Sequence, residues 1–278
     1  MEEVEIVLLL LALVAALTVL ARRVAVPYPI LMTIGGLVLS LVLSLVPGAP
    51  QVSLAPEIVF LLFLPPILFS AAYFTSPHEL RANARPIGLL AVGLVLVTTL
   101  TVGFVVHSLV PSMGWAAAFA LGAIVSPPDA VSATAIAQRL GLPRRVVTIL
   151  EGESLVNDAT ALVALRLAVA AAAVTAAAGG TFLSLPVATF GFVGISLGGV
   201  ACGLVVGWAV VQVEKRLNDP PVAVLVSLLA PFAAWIPAEM LQVSGVLSVV
   251  TAGIVLGRAA PRVMSSDTRV LGSGTWQM

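Results

Sequence analysis

The stretch 151–158 reads EGESLVND and opens a long apolar run that predicts a membrane-spanning helix. Its last residue, Asp158, would therefore lie in hydrocarbon, where an ionisable side chain is costly and by default marks an ion or substrate pathway. A second carboxylate, Asp129, lies in another apolar segment, directly after the run Ser126-Pro127-Pro128. Two acids at similar depth, one of them beside broken backbone, indicate a cation site.

The composition is typical of a chain that lies mostly within a lipid bilayer. Hydrophobic residues make up 60% and charged residues 9% of the 278 residues, and the mean hydropathy is +1.15. These values predict an all-α polytopic membrane protein. The single cysteine, Cys202, cannot form an internal disulfide, so redox chemistry is not expected. An acidic N-terminus without a cleavage pattern predicts that the first apolar segment is retained as a span.

Hydropathy and turn residues divide the chain into about nine membrane spans of roughly 15 to 29 residues. The predicted spans are 6–21, 28–46, 56–74, 86–110, 115–140, 146–174, 185–213, 221–235 and 237–256. The fifth span is predicted to be broken by Pro127 and Pro128, which remove two amide donors and leave carbonyls unpaired. Such carbonyls are tolerated at membrane depth only where they line a cavity or bind something.

Basic residues give an independent check on this topology. Twelve of the thirteen follow odd-numbered spans, and the intervening loops carry none. By the positive-inside rule these loops are cytoplasmic and the N-terminus is outside, as expected for a multi-pass protein of the plasma membrane. The exception is Arg166, the one cation that could pair with the buried acids. It lies eight residues and about 12 Å beyond Asp158, so it is expected near the outer interface.

Helix rise places both acids near the middle of the bilayer. Counted from the ends of their spans at about 1.5 Å per residue, Asp158 lies roughly 18 Å deep and Asp129 roughly 21 Å deep. Ser154 lies four residues before Asp158 on the same helix, and Asn157 flanks them. A hydroxyl, an amide and a carboxylate supply hard oxygen ligands of the kind that a sodium or lithium ion accepts.

Other conspicuous features have structural explanations. Pro65-Pro66 in the third span is equally well explained as a packing kink. Glu151, near the helix N-terminus, is better explained as a solvated residue that favours the helix dipole, and the same explanation is open for Glu153. A series of glycines predicts a packing face for another helix. Its members are Gly191, Gly194, Gly198, Gly199, Gly203 and Gly207.

Four motifs carry a resemblance to a known family. In chain order they are FLPPILF at 63–69, SPPDAV at 126–131, GESLVND at 152–158 and AEMLQVSG at 238–245. Together and in this order they resemble the monovalent cation/proton antiporters of the sodium/hydrogen exchanger type, in the bacterial NhaP-like branch. The resemblance covers nearly the whole chain and implies an inverted-repeat antiporter fold.

The resemblance also implies roles for individual residues of the ion- and proton-binding site. Asp158 would be the carrier that cation and proton share. Ser154 would be a side-chain ligand of the monovalent cation. Asn157 would tie the sixth helix to the unwound fifth helix, and Asp129 would be the acid at that break.

The resemblance implies further residues of the site, but this chain departs from the family pattern at two positions. The chain has no threonine at the break, so only the carbonyl of Pro128 can substitute for that ligand. Ser70 stands where many relatives have an acid, which puts cation selectivity in question. Glu153 and Glu239 would be supporting acids of the site region.

The resemblance predicts more of the fold than the chain contains. The family needs a second inverted repeat with its own broken helix, whereas this chain stops at residue 278 after about nine spans. We therefore expect a C-terminally truncated product or a partial sequence. Residues 1–258 would form a partial membrane domain, and residues 259–278 a cytoplasmic loop that leads to a missing next helix.

The function implied by the resemblance is secondary active transport and not enzymatic catalysis. Cation and proton would compete for Asp158, and the single charge of the Asn157-Asp158 pair implies electroneutral exchange of H⁺ for a monovalent cation. Na⁺ is the first candidate, with K⁺ and Li⁺ not distinguished. No cofactor is expected besides the transported ions. The expected partners are these ions, membrane lipid and, in the full-length protein, a second copy, but no nucleic acid.

Rival interpretations belong to other classes. The most serious is a transport-inactive fragment of such an antiporter. A sodium-coupled organic-anion symporter would use a similar scaffold, but it needs a substrate pocket richer in polar side chains than these spans offer. An ion channel lacks support because nothing resembles a carbonyl-lined filter. A membrane hydrolase would need a histidine placed to serve Ser154, and the spans supply none at that depth.

Overall fold

The computed structural model describes residues 2–24, 28–45, 56–128, 133–134, 136–137, 140–178, 185–217 and 219–276. Within these ranges all regular secondary structure is helical, which confirms the predicted all-α class. The helices are α1 (Glu2–Val24), α2 (Tyr28–Leu45), α3 (Pro56–Leu62), α4 (Leu64–Phe74), α5 (Pro77–Ala82), α6 (Ala84–Leu109), α7 (Trp115–Val125), α8 (Arg144–Ala178), α9 (Leu185–Glu214), α10 (Pro220–Met240), α11 (Gly245–Val263) and α12 (Ser266–Trp276). A π-helical stretch, Leu89–Leu94, interrupts the α-helical hydrogen bonding of α6.

Many of these helices suit a bilayer. Among the described residues, five are long and apolar enough to cross a membrane, namely α6, α8, α9, α10 and α11. Shorter apolar helical stretches of 10–17 residues cover parts of the other four predicted spans. They are Leu8–Ala21, Ile30–Leu45, Phe60–Phe74, which crosses the one residue between α3 and α4, and Trp115–Val125. The chain is therefore a multi-pass membrane protein, and the number of nine crossings stays a prediction.

One predicted helix boundary is wrong. The eighth and ninth spans were expected to meet at Pro237, but α10 continues through Pro231 and Pro237 to Met240. A proline inside a helix removes one backbone donor, and a membrane helix tolerates this where neighbouring groups satisfy the freed carbonyl. The chain turns instead at residues 241–244, where Gln242 adopts a φ of 56° and the amide of Val243 donates to the carbonyl of Ala238 at 2.9 Å.

The third predicted span consists of two helices in the structure. α3 ends at Leu62 and α4 begins at Leu64, so that Pro65 and Pro66 lie in the first turn of α4. Proline is well tolerated there because the first amides of a helix have no intrahelical partner. This arrangement agrees with the structural explanation of the two prolines.

The chain divides into two compact units. One contains Met1–Leu54 and Asp129–Val147, and the other contains Ala55–Pro128 and Thr148–Met278. In the first unit α1 and α2 pack closely at Gly35, where an added Cβ would lie 2.5 Å from a side-chain carbon of Leu17. The second unit contains Pro128 and the part of α8 from Thr148 onward.

The core of the second unit is built mainly from α4, α8, α10 and α11. Its buried apolar side chains include Phe69, Leu155, Trp235, Val249 and Leu256. Trp276 of α12 packs on Phe69 with ring centroids 5.4 Å apart. Since lipid is as apolar as these side chains, the helices associate through close van der Waals packing more than through exclusion of water.

The glycine series on α9 shows how close this packing is. An added Cβ at Gly203 would collide with the carbonyl of Ser248 on α11, and one at Gly199 would lie 2.5 Å from the carbonyl of Ser244. Gly198 and Gly207 similarly leave room for Val243 and Val255. The predicted packing face is therefore confirmed at these four glycines, and α11 with the preceding turn is the surface it contacts.

The start of α8 packs against α5 and α6. The hydroxyl of Thr148 donates to a carboxylate oxygen of Glu79 at 3.0 Å. Gly152 faces side-chain carbons of Ile87 and Leu80, which an added Cβ would approach to 2.6 and 2.8 Å. These contacts fix the part of α8 that immediately precedes the polar motif 153–158.

Candidate functional site

The candidate site lies on α8, a helix of 35 residues. After Gly152 the sequence contains no glycine or proline up to Ala178 and is rich in alanine and leucine, both of which favour a continuous helix. A continuous helix carries Glu153, Ser154, Asn157 and Asp158 on fixed positions within one and a half turns. The polar motif is thus held on a rigid element.

Asn157 is the most buried polar residue of the motif, with 1% of its surface exposed. Its side-chain nitrogen donates to the carbonyl of Pro128 at 3.4 Å and to a carboxylate oxygen of Glu153 at 3.2 Å. Its side-chain oxygen accepts from the amide of Asp158 at 2.6 Å. Both donors and the acceptor of this amide are therefore used, as a buried polar group requires.

The partner of Asn157 lies just beyond a helix end. α7 stops at Val125, and the chain bends at Ser126 and Pro127. Ser126 is buried and its hydroxyl donates to the carbonyl of Ala123 at 2.9 Å, while Asn157 serves the carbonyl of Pro128. Ser126 thus pairs the carbonyl of Ala123 in the last turn of α7, which Pro127 cannot serve, and Asn157 pairs the carbonyl of Pro128 beyond the helix end.

Asp158 and Ser154 are both partly buried and lie one helical turn apart. The Ser154 hydroxyl donates to the carbonyl of Leu150 at 2.9 Å, so its hydrogen is occupied while its oxygen can still accept or coordinate. Asp158 is the next residue after Asn157, whose side-chain amide donates to the carbonyl of Pro128. Asp129, the other acid of the predicted site, lies outside the described residues.

The two predicted supporting acids lie in different surroundings. Glu153 is 6% exposed and accepts its hydrogen bond from Asn157, so the structure brings it together with the motif. Glu239 instead forms an ion pair with Arg166, whose nitrogen approaches the two carboxylate oxygens at 2.5 and 2.6 Å. Arg166, which was expected simply to lie near the outer interface, therefore has a carboxylate partner on another helix.

This ion pair is a feature that the sequence did not predict. Its members are 73 residues apart in the chain and lie on α8 and on the last turn of α10. A signal was present, because each is an isolated charge of opposite sign within an apolar predicted span or at its end. Pairing the charges also required knowing that α8 and the end of α10 pack together, which the position of each charge along its own span does not show.

The chain is an apolar multi-pass helical protein, and one of its helices carries carboxylate, hydroxyl and amide groups beside the end of another helix. Membrane proteins that move ions are built in this way. Comparison with known families makes this specific. Residues 9–276 match the family described as sodium/hydrogen exchanger, transmembrane. The chain belongs to this family, which confirms the resemblance carried by the four motifs.

Individual relatives support the same family. The chain is 36% identical to the sodium, potassium, lithium and rubidium/H⁺ antiporter of Bacillus pumilus, over 98% of this chain and 40% of the relative. It is 33% identical to the Na⁺/H⁺ antiporter ApNhaP of Aphanothece halophytica, over 91% and 46% respectively. It is 35% identical to the low-affinity Na⁺/H⁺ antiporter of Synechocystis, again over 91% and 46%. The chain thus spans less than half the length of these relatives.

Proposed function

We propose that the protein carrying this chain exchanges a monovalent cation, with Na⁺ as the first candidate, for H⁺ across the plasma membrane. The names of the relatives describe cation/proton antiporters, and the family is a family of transporters. The observation that carries the proposal is the contact of Asn157 with Pro128, because it joins the helix of Asp158 to the end of α7. A broken helix beside a carboxylate is how secondary transporters bind ions.

The proposed carrier is Asp158. A carboxylate away from bulk water is costly to leave charged, and a cation or a proton bound at its oxygens offsets that cost. Ser154 would add a hydroxyl oxygen to the cation shell, and the backbone at Pro128 would contribute a carbonyl. Asp129 would be the acid at the break, with Glu153 as a supporting acid through Asn157.

Because a cation and a proton compete for one carboxylate, the protein can exchange one for the other without a cofactor. Suppose that the protein exposes Asp158 to one side of the membrane or the other, and changes sides only when a cation or a proton is bound. Each cation that moves in one direction is then balanced by one proton that moves in the other. One charge is shared at the Asn157-Asp158 pair, so the proposed exchange is electroneutral. In the complete protein we expect an inverted-repeat fold and a homodimer, with the N-terminus outside.

The test is cation-dependent dissipation of a pH gradient. The complete protein is placed in sealed vesicles with a fluorescent pH reporter, a gradient is imposed, and NaCl, KCl or choline chloride is added. We expect Na⁺ to dissipate the gradient and choline to leave it intact. A gradient that neither Na⁺ nor K⁺ dissipates, at confirmed protein incorporation, would contradict the proposal.

The same assay separates two further interpretations. The 278-residue chain spans 40% to 46% of the three relatives, which favours a transport-inactive product when these residues are expressed alone. A sodium-coupled organic-anion symporter would leave the pH gradient intact and would move Na⁺ only when an organic anion is supplied. Each interpretation therefore has its own pattern of signals.

A further inference from the structure

A groove with basic side chains lies where α4, α5 and α11 meet, and we call it the basic groove. It has a volume of about 300 Å³. Its lining residues are Ser76, Pro77, His78, Arg81 and Arg258. This volume is at the lower end of the range for ligand pockets, so the basic groove suits a small polar group better than a large organic molecule.

Close packing of α4 against α11 brings the two arginines to the same groove. Gly257 of α11 packs directly against the backbone of α4, and an added Cβ there would collide with the carbonyl of Tyr73. Because glycine has no side chain, the two helices approach to backbone contact at this point. Arg258, the next residue of α11, therefore lies beside the turn at Ser76 that leads from α4 into α5 and Arg81.

The basic groove carries positive charge that no neighbouring acid neutralises. Arg81 and Arg258 are exposed, and within the described ranges neither side chain has a hydrogen-bonding or ionic partner. The acid closest in sequence is Glu79, which does not line the groove and whose carboxylate accepts a hydrogen bond from Thr148 of α8. Two guanidinium groups with free donors form a site for an anion.

A phosphoryl group matches these donors better than a carboxylate does. A guanidinium group presents its N–H donors in a planar fork that binds two phosphate oxygens at once, and two such forks need more oxygens than a carboxylate has. The hydroxyl oxygen of Ser76 accepts from the backbone amide of Glu79 at 3.5 Å, so the hydroxyl hydrogen remains available for a further phosphate oxygen.

The position of the basic groove favours a membrane lipid as the source of the phosphoryl group. The groove lies at the end of α4, on the side of the membrane predicted to be cytoplasmic. On α4 itself, Ile67 is 56% and Phe74 46% exposed, as expected for side chains that contact acyl chains. A lipid beside α4 can therefore reach the groove with its headgroup without leaving the bilayer, and basic residues at this depth attract anionic lipids.

We propose that the basic groove binds the phosphoryl headgroup of an anionic phospholipid, held by Arg81 and Arg258. The inference requires that the helices cross a membrane, but it does not depend on cation/proton exchange. The alternative is a diffuse attraction of anionic lipids to all basic residues on this side of the protein. Diffuse attraction predicts the same loss of binding at every exposed arginine, whereas a site predicts a loss only at the two arginines of the groove.

The test measures lipid binding to the complete protein, purified in a neutral detergent and freed of lipid. Native mass spectrometry compares phosphatidylglycerol with phosphatidylcholine for wild type, Arg81→Gln, Arg258→Gln and the double variant. We expect wild type to prefer phosphatidylglycerol and each single variant to bind it about fivefold more weakly. The double variant should lose at least as much as either single variant. The matched control is Arg216→Gln, which removes an exposed arginine after α9 and outside the groove, and its affinity should stay within about twofold of wild type.

A second arm separates a lipid from a soluble anion. Glycerol 3-phosphate, a soluble analogue of the headgroup, is added in equal concentration with phosphatidylglycerol and should not displace it, because it has no acyl chains to contact α4. Displacement at equal concentration would overturn the lipid assignment. An equal loss of lipid binding in Arg216→Gln and in the groove variants would overturn the site, and so would unchanged binding in the groove variants.

The folding of the variants is checked by thermal unfolding without lipid. Both arginines are exposed and unpaired within the described part of the chain, so each substitution should leave the unfolding temperature close to that of wild type. If one single variant does not fold, the other decides alone: a fivefold loss of phosphatidylglycerol binding supports the proposal, and wild-type binding overturns it.

Discussion

The side chain of Asn157 donates a hydrogen bond to the carbonyl of Pro128 across 29 residues of sequence, with a nitrogen to oxygen distance of 3.4 Å. The same amide holds Glu153 with its second donor and the Asp158 backbone with its oxygen. One buried side chain therefore sets the relation between a helix end and the proposed carrier. An asparagine suits this position because it offers two donors and an acceptor without a charge.

Replacing Asn157 should destabilise the protein. Asn157→Ala leaves the Pro128 carbonyl and the Glu153 carboxylate without their donor, at a cost of roughly 1–3 kcal/mol for each buried group. Asn157→Asp should be worse at neutral pH, because it also sets a second acid against Glu153. Thermal unfolding in detergent measures both effects.

The matched control is Ser108→Ala on α6, which removes an exposed hydroxyl bonded within its own helix, to Phe104. It should shift the unfolding free energy by less than about 0.5 kcal/mol. Equal stability of Asn157→Ala and this control would show that the contact with Pro128 does not hold the site together.

Glycine substitutions on α9 test the packing of the second unit. In Gly203→Ala the added methyl meets the backbone carbonyl of Ser248, which cannot move aside as a side chain would, so we expect a loss of roughly 1–3 kcal/mol. In Gly194→Ala, on the same helix, the methyl enters open space and the better helix propensity of alanine should stabilise by up to about 1 kcal/mol. Both are measured by thermal unfolding, and a reversed order would contradict the described contact of α9 with α11.

Hydropathy was enough to predict most helices, because the apolar stretches are long and the breaks between them are rich in turn residues. It failed at Pro237, where a membrane helix continues through a proline that would end many soluble helices. Periodicity also could not show that the span around Pro65 consists of two helices, since apolar residues continue across the break at Phe63.

The candidate site was predictable only in part. The polar motif on α8 stood out because charges and amides are rare in apolar spans, and the prolines at 127–128 marked a helix end. The sequence alone did not reveal that Asn157 is also the donor to Glu153, because that depends on side-chain orientation. The pairing of Arg166 with Glu239 depends on how α8 and α10 pack, which helical periodicity within one segment does not encode.

The predicted topology can be tested by thiol labelling in intact cells. In a Cys202→Ser background, a cysteine is introduced at Ser112, in the exposed turn between α6 and α7, or at Lys215, in the exposed turn after α9. With the N-terminus outside, a membrane-impermeant maleimide should label Ser112→Cys and reach Lys215→Cys only after the cells are permeabilised. The opposite pattern would invert the topology, and labelling of both in intact cells would contradict the positions of the spans.

Electroneutral exchange predicts that voltage has no effect on the rate. One proton replaces one monovalent cation on Asp158, so no net charge crosses the membrane in a full cycle. Exchange is measured in potassium-loaded vesicles with valinomycin, at imposed potentials of either sign and a fixed pH gradient. An acceleration by either sign of potential would show that a second charge moves, and would direct attention to Asp129, Glu153 or Glu239.

The most direct test of the central claim is the substitution Asp158→Asn in the complete protein. The amide keeps the size of the side chain but cannot exchange a proton for a cation, so Na⁺-dependent dissipation of a pH gradient in vesicles should fall to the level of empty vesicles. Asp219→Asn, an exposed acid on the same chain, should retain the wild-type rate. A wild-type rate in folded, incorporated Asp158→Asn would contradict the assignment of Asp158 as the carrier that cation and proton share.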